Sequence, residues 1–407
     1  MRYVDKLELK DIDVTGKRVL VRVDFNVPMV DGKITDETRI TAALPTLLAL
    51  INADARIILV THLGRPEVGS AADRETLTTE PLAVALSRKL GTRVAHVNDC
   101  MGESVQSAVA SLRNGEVLLL ENVRFYAEET ENDAAFAQQL ASLADVYVND
   151  AFGTAHRAHA STEGVTHYLN PCVAGLLMAR EIYYLSTSLE TPARPYVAIL
   201  GGAKISDKIT LIETLLEQVD KLLIGGGMAY TFLSAMGLNI GDSLLEAEKL
   251  DVARSLVERT DFSDTVLLPV DHVVGRDFAP ETEAQVVGKG SIPDGWQGLD
   301  IGPETVSVFG EEIGAAKTVV WNGPLGVYEF EKFAQGTIAV AKQIADSESV
   351  SIIGGGDCVA AIQQAGVAAR MTHISTGGGA SLEFLEGKPL PGIVALTDND
   401  PQRKTDV

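Results

Sequence analysis

Three times in its second half the sequence drives an apolar run into three glycines and goes straight on as a helical pattern: KLLIGGGMAYTF, VSIIGGGDCVAAI and THISTGGGASLEFL. A fourth turn, LGGAKISDK, sets Lys204 and Lys208 close behind Gly201 and Gly202. Glycines 225–227, 354–356 and 377–379 carry no Cβ, so an anion can reach bare amides where a helix begins and its dipole is positive. A tight strand-to-helix turn explains any one of them, but four in one half of a chain point to a polyphosphate site. A dinucleotide-binding fingerprint needs Gly or Ala three places after the second glycine of G-x-G. Those places hold Tyr230, Val359 and Leu382. The G-x-x-x-x-G-K-[ST] loop and the catalytic-loop and D-F-G signatures of protein kinases are absent too, so nucleotide phosphates would be held by another scaffold.

The first half alternates the strand-like runs RVLVRV, RIILV, EVLLL and DVYV with the helix-like runs ITAALPTLLALIN, PLAVALSRKL and DAAFAQQLASLA. The second half continues with YVAIL, KLLI, TVLL, TVVW and VSII. Such alternation predicts an α/β fold with parallel sheets covered by helices on both faces. At 407 residues the chain exceeds one ordinary core, so two domains are expected. The boundary falls after HRAHASTEGV, where CVAGLLMAREIYYLSTSLE reads as one connecting helix stopped by Pro192 and Pro195. That division gives a first domain over 1–171, a hinge helix over 172–190, a second domain over 191–386 and a tail over 387–407.

A net charge of −22 and a pI near 4.7 argue against nucleic acid or anionic membrane as partners, which demand basic surface. The carboxylates are dispersed, as in EETEND and LLEAEKLD, and suggest a solvated acidic coat of the kind that high salt screens. Cys100, Cys172 and Cys358 show no C-x-x-C spacing, which argues against a disulfide framework or a cysteine zinc site. The opening MRYVDKLELKDIDVTGKRV lacks the apolar core of a signal peptide, and no later stretch has the length of a membrane span. A cytoplasmic location is expected.

Ligands of open parallel sheets sit beyond the carboxyl ends of the strands. In the first half those positions hold Asp24 and Asn26 after RVLVRV, His62 and Arg65 after RIILVT, Arg124 after EVLLLEN and Arg157 after DVYVNDAFGTAH. Arg22 lies in the first strand and Arg39 opens the helix after the first loop. Taken singly, His62 has a second reading as a loop histidine bonded to backbone, and Asp24 one as a turn or capping carboxylate. Several guanidinium groups on one sheet edge of an acidic protein are harder to explain as solvated surface, because arginine suits bidentate phosphate and carboxylate recognition. The expectation is an anion pocket in the first domain.

At these residues the chain resembles a known family. VRVDFNVP, THLGRP, LLLENVRF, VNDAFGTAHRAHAS, LGGAKISDK, IGGGMA, WNGPLGVYE, IGGGDC and STGGGASLEFLEGK together look like phosphoglycerate kinase, in the family's order over nearly the whole chain. The resemblance implies two Rossmann-like, doubly wound domains joined by a hinge helix, with the active site in the interdomain cleft and the tail returning to the first domain. It implies phosphoryl transfer between the acyl phosphate of 1,3-bisphosphoglycerate and ADP, giving 3-phosphoglycerate and MgATP, by a monomer of glycolysis and gluconeogenesis. Carried onto this sequence, the triose site is Arg22, Asp24, Asn26, Arg39, His62, Arg65, Arg124 and Arg157. The nucleotide site is Gly201, Lys204, Lys208, Gly225, Gly226, Gly298, Leu299, Asn322, Pro324, Val327, Glu329, Gly354, Gly355, Gly356, Asp357 and Cys358. Gly226, Leu299 and Val327 would sandwich adenine, Glu329 would take the ribose hydroxyls and Asp357 would hold Mg²⁺. Arg39, Lys204 and the amides of Gly378 and Gly379 would stabilise the moving phosphoryl group.

Cys358 departs from the threonine usual after that aspartate. It reads either as a weak-donor contact, as a reactive thiolate at a helix start, or as a small buried hydrophobe. Two rival classes remain, a nucleotide-binding regulatory protein without activity and an ATP-dependent carboxylate-activating ligase. Arg39, Lys204 and Asp357 are all present, which disfavours the first, and no amine or thiol acceptor pocket is indicated for the second. His156 and His159 in HRAH suggest a metal pair only if a third ligand exists, and the sequence shows none.

Overall fold

The structure is a computed structural model describing residues 5–399. Its chain divides into two compact units: one ends at Tyr183 and takes back the chain from Pro389 on, and the other runs Tyr184–Lys388. The second boundary therefore lies two residues beyond the expected start of the tail at 387, and the first lies inside the expected hinge segment.

Unit 1 is built on six strands: β1 (Arg18–Arg22), β2 (Arg56–Val60), β3 (Val94–His96), β4 (Val117–Leu119), β5 (Val146–Asn149) and β6 (Cys172–Ala174). They pair in the order β3-β4-β2-β1-β5-β6, all parallel. Their runs are apolar without alternation because both faces are covered. Val19, Val21, Ile57, Leu59, Val146 and Val148 meet Ile40, Leu47 and Leu50 of the helix Thr38–Asn52, whose buried residues recur at three- and four-residue intervals. Each such fully buried aliphatic side chain contributes about 1.5–3 kcal/mol. The chain leaves β1 through β2 on one side and returns to its other side as β5, so the ligand crevice of this sheet opens beyond β1 and β5. Arg22 pairs with Val60 and with Asn149 at that edge.

The expected hinge helix over 172–190 is shorter. Cys172–Ala174 is a strand paired with Tyr147–Asn149, and the helix spans Leu176–Glu190. The break has a physical cause. The Thr46 hydroxyl accepts from the Leu176 N–H at 2.9 Å, and Asp150 Oδ1 accepts from those of Leu177 and Met178 at 3.0 and 3.3 Å. These caps satisfy the free amides of a helix start. Burial pushes the Asp150 carboxyl up to about 7. Strand β6 is tied on its far side by the C-terminal segment, with Thr397 N donating to Cys172 O and Leu7 N to Thr397 O, both at 2.8 Å.

Unit 2 repeats the plan with β7 (Tyr196–Leu200), β8 (Lys221–Ile224), β9 (Val266–Leu267), then β13 (Thr318–Asn322), β14 (Val350–Gly354) and β15 (His373–Ile374), after the insertion described next. The parallel order is β9-β8-β7-β13-β14-β15. Between β9 and β13 the chain adds an antiparallel sheet of β10 (Asp271–Gly275), β11 (Ala284–Gly288) and β12 (Gln297–Ile301), which the sequence pattern did not predict. The central strand β10 is mostly buried, but β11 is largely exposed, so it shows no apolar run. In the register of the parallel sheet, Leu200 pairs with Ile224 and Asn322, and Asn322 with Gly354. Three of the four glycine turns therefore leave one carboxyl edge together, and the helices Met228–Ala235 and Gly356–Gln364 start at once. After LGGAKISDK the helix begins only at Ile209, leaving Lys204 and Lys208 in a loop. Among the described residues no helix is long and apolar enough to cross a membrane.

Candidate active site

The edge beyond β1, β2, β4 and β5 gathers the expected anion residues of unit 1. A cavity of about 310 Å³ is lined by Arg65, Arg124, Arg157 and His159, with Tyr126 and Thr130 beside them. Arg124 Nη1 donates to Gly64 O at 2.6 Å, and Asn26 Oδ1 accepts from Gly64 N at 2.8 Å, so one turn fixes both. Asn122 staples the two arginine loops: its Oδ1 accepts from Leu63 N and Arg124 N, and its Nδ2 donates to Leu63 O and Leu77 O. Burial and the Arg157 and Arg22 charges lower the Arg124 guanidinium to about 10.

His62 is buried, and its pKa falls well below the ordinary value, first through burial and then through Arg22, Arg124, Arg39 and Arg157. Arg39 pairs with Asp24 and is about one-third exposed. Arg22 stands apart from the other arginines. It is 1% exposed and its donors are engaged by the Ser161 hydroxyl, the Val23 carbonyl and His62 Nδ1. Three of its five N–H donors are thus held within the protein, and Arg22 is not among the residues lining the cavity. Sequence reasoning missed His159 and Tyr126 as lining residues. Only the neighbourhood of HRAH and of VRFY could have flagged them.

In unit 2 a cavity of about 430 Å³ is lined by Gly226, Gly298, Leu299, Pro324, Val327, Glu329 and Asp357, all expected, and by Tyr230, Leu244, Phe278 and Tyr328, which were not. The glycines are there for close approach. A Cβ on Gly201 would overlap the Pro324 carbonyl, one on Gly225 would sit 2.6 Å from Leu325 Cδ2, and one on Gly298 would overlap the Tyr230 hydroxyl. Gly226 adopts φ +67°, and a Cβ there would lie 2.7 Å from the Gly202 backbone. Phe278, 65% exposed, packs on Phe330 at 5.2 Å at the edge of this cavity. No motif marks it in VVGRDFAPE.

Lys204 is exposed in its loop, whereas Lys208 is buried and donates to Gly201 O and Asn322 O at 2.6 and 3.1 Å. Burial lowers its ammonium to about 8. Asn322 is buried with an Nδ2 that has no partner among the described residues, 3.1 Å from where a Cβ on Gly355 would sit. That is an unspent donor facing the glycine turn of Gly354 to Gly356. Cys358 belongs to the core packed against β13 and β14, is 0% exposed, and burial pushes its thiol up to about 12. The readings of Cys358 as a side-chain nucleotide contact or a reactive thiolate are therefore corrected, because desolvation outweighs the helix start; it is a small hydrophobe. Gly378 adopts φ +52° just before the helix Gly379–Leu385.

Asp357 is an exposed carboxylate at the start of Gly356–Gln364, open to the cavity. Among the described residues no group of three or more His, Cys, Asp or Glu could hold a metal ion, and the histidine pair of HRAH gains no third ligand. A single carboxylate fits a hard cation that brings most of its oxygen ligands as phosphate and water.

The phosphoglycerate kinase family model matches residues 9–388. A phosphoglycerate kinase of Rippkaea orientalis is 56% identical over 396 residues, covering 96% of this chain and 98% of its own length. One of Moorella thermoacetica is 56% identical over 394 residues, covering 97% and 99%. Among solved structures, phosphoglycerate kinase from Coxiella burnetii superposes with a TM-score of 0.88 at 42% identity, covering 96% of this chain and 98% of its own. The Pyrococcus horikoshii enzyme gives 0.84 at 36%.

Proposed function

The chain belongs to the phosphoglycerate kinase family and is a phosphotransferase, and on that premise we propose how its residues divide the reaction. The reaction is reversible phosphoryl transfer from 1,3-bisphosphoglycerate to ADP, giving 3-phosphoglycerate and ATP. The observation that carries the assignment of sites is the pairing of an arginine-lined cavity beyond the first sheet with a glycine-walled, largely apolar cavity beyond the second.

In unit 1, Arg65, Arg124 and Arg157 clamp the distal phosphate of the triose, and His62 adds a neutral hydrogen bond beside them. Asp24 and Asn26 take the glycerate hydroxyl, with Arg39 held ready by its pair with Asp24. In unit 2, Leu299, Val327 and Gly226 hold the base, Glu329 the ribose, and Lys204, Lys208, Asn322 and the turn of Gly354 to Gly356 the phosphates. The attacking carboxylate of 3-phosphoglycerate is ionised at neutral pH, so no general base is required. What the transition state needs is positive charge and N–H donors around the phosphoryl oxygens. Arg39, Lys204 and the amides of Gly378 and Gly379 supply them. A Mg²⁺ ion on the nucleotide, held through Asp357, would neutralise phosphate charge.

Water must be kept from the phosphoryl group during transfer, so the proposal includes closure of the two units about the helix Leu176–Glu190, seen as compaction in solution scattering only when both ligands are present. The three free cysteines support a reducing, cytoplasmic setting, and the family resemblance supports a monomer. The decisive experiment incubates the purified chain with 3-phosphoglycerate, MgATP and a coupled reductase. Nicotinamide oxidation dependent on both substrates supports the reading; none refutes it. A ligase would instead demand an added amine or thiol acceptor for turnover.

A further inference from the structure

Behind the anion cavity of unit 1 lies a carboxylate that the reaction does not use. Glu129 sits on the short helix Ala127–Thr130, whose Ala127 and Thr130 line the cavity, and is 0% exposed. A buried charge is tolerated only when hydrogen-bonded or paired. Both its oxygens accept from Ser161, Oε2 from the N–H at 2.9 Å and Oε1 from the hydroxyl at 2.7 Å, and His159 Nδ1 lies 3.8 Å from Oε1. Having given its only proton to Glu129, the Ser161 hydroxyl can only accept from Arg22 Nε, which lies 2.7 Å away. Arg22 Nη2 lies 3.2 Å from His62 Nδ1. A guanidinium only donates, so Nδ1 must be the acceptor, and the neutral ring carries its proton on Nε2.

We propose that Glu129 is a positioning residue of the anion site: through Ser161 it fixes Arg22 and the Nε2–H tautomer of His62, and its charge restrains how tightly the arginine cluster grips a phosphorylated acid. The proposal rests on the assignment of 3-phosphoglycerate to this cavity. The two actions oppose each other. Fixing Arg22 and His62 strengthens binding, while a negative charge behind Arg65, Arg124 and Arg157 weakens it and speeds release. A merely structural role, pinning Ala160 and Ser161 to the helix, would make every substitution weaken binding alike.

Two variants of the full chain separate these cases, with dissociation constants measured by calorimetry for 3-phosphoglycerate and for ADP. Glu129→Gln keeps the shape: its amide can turn the oxygen to the Ser161 N–H and the NH₂ to the Ser161 hydroxyl, which still accepts from Arg22. The charge is lost and the Ser161 O–H gives up its acceptor, and 3-phosphoglycerate should bind roughly 10-fold tighter, the order expected for one charge removed about 12 Å away in a medium of dielectric about 20. The gain should shrink in high salt. Ser161→Ala keeps the charge and cuts the relay, and binding should weaken roughly 10-fold, as for a lost hydrogen bond to a charged group. ADP affinity should stay unchanged in both. Unchanged or weaker 3-phosphoglycerate binding in a folded Glu129→Gln protein overturns the proposal. Should that variant fail to fold, Ser161→Ala decides alone, and an unaltered constant there overturns it. A parent chain that binds ADP but no 3-phosphoglycerate refutes the site assignment instead.

Discussion

Unit 1 builds its anion site from charged side chains, whereas unit 2 builds its own from main chain and apolar walls. In the first, Arg65, Arg124 and Arg157 converge on one cavity with His62 and Arg22 packed behind it. In the second, Gly201, Gly225, Gly226 and Gly298 bring backbone so close that a Cβ would strike a neighbour. The difference follows from the ligands assigned to each. A small, highly charged acid offers little surface beyond its phosphate and carboxylate, so side-chain charge must recognise it. A nucleotide offers a flat base to shape and a phosphate tail to amides and lysines. Unit 1 should therefore answer to charge and unit 2 to shape.

The sharpest break of that contrast lies at Arg39, a unit 1 charge assigned to the moving phosphoryl group rather than to binding. Arg39→Ala should lower turnover roughly 10³-fold or more, by analogy with arginines that act on phosphoryl transition states, and leave ADP affinity alone. Steady-state rates at saturating substrates test it. Turnover within a few-fold of the parent would discredit the role. On the other side, Gly201→Ala should weaken ADP binding by roughly 100-fold, the upper end of what overpacking costs, because its Cβ would overlap main-chain atoms of Gly323 and Pro324. Calorimetry with ADP and 3-phosphoglycerate in parallel checks that only the former changes.

The same contrast explains what could be read from the sequence. The parallel sheets were legible because β-branched runs such as RIILV and TVVW alternate with helical ones, and the glycine triplets announced the turns into the helices Met228–Ala235, Gly356–Gln364 and Gly379–Leu385. The unit 1 arginines were legible as residue types at strand ends. Their geometry was not: nothing in RVLVRV says that Arg22 turns inward to Ser161 and His62 while Arg65 faces the cavity. The pattern extends the helix back to Cys172 because no proline or glycine interrupts the run before Gly175. Only the pairing with Tyr147 and the caps from Thr46 and Asp150, distant in sequence, place it in a strand. Phe278 and Tyr230 escaped for the opposite reason. Apolar cavity walls carry no pattern distinct from core.

Salt gives a smaller and more general test of the contrast. Raising KCl tenfold should weaken 3-phosphoglycerate binding by about 10-fold, since its cavity depends on partly exposed guanidinium groups that mobile ions screen. Adenosine, assigned above only to the cavity bounded by Leu299, Val327 and Gly298, should show almost no change. Equal salt slopes for the two ligands would mean that the side-chain and main-chain sites are less distinct than their linings suggest.

The smallest effect is a fraction of a proton, and it belongs to unit 2. Lys208 is lowered to about 8, chiefly by burial, while its Nζ is held by two carbonyls. An unfolded lysine titrates near 10.4, so between about 8 and 10.4 the unfolded chain binds more protons than the folded one, and folding stability contributed by this group rises with pH across that window. Nucleotide phosphates favour the charged ammonium and raise its pKa again. Binding ADP near pH 8.5 should therefore take up part of one proton, read from calorimetric enthalpies in two buffers of different ionisation enthalpy. At pH 6.5 Lys208 is already protonated and contributes no uptake. 3-Phosphoglycerate should take up none near pH 8.5, because the guanidinium groups remain charged there, Arg124 included at about 10, and His62 titrates well below its ordinary value. Lys208→Met should abolish the ADP-linked uptake. Uptake that persists in that variant would place the titrating group elsewhere and leave Lys208 as a tether between Gly201 and Asn322.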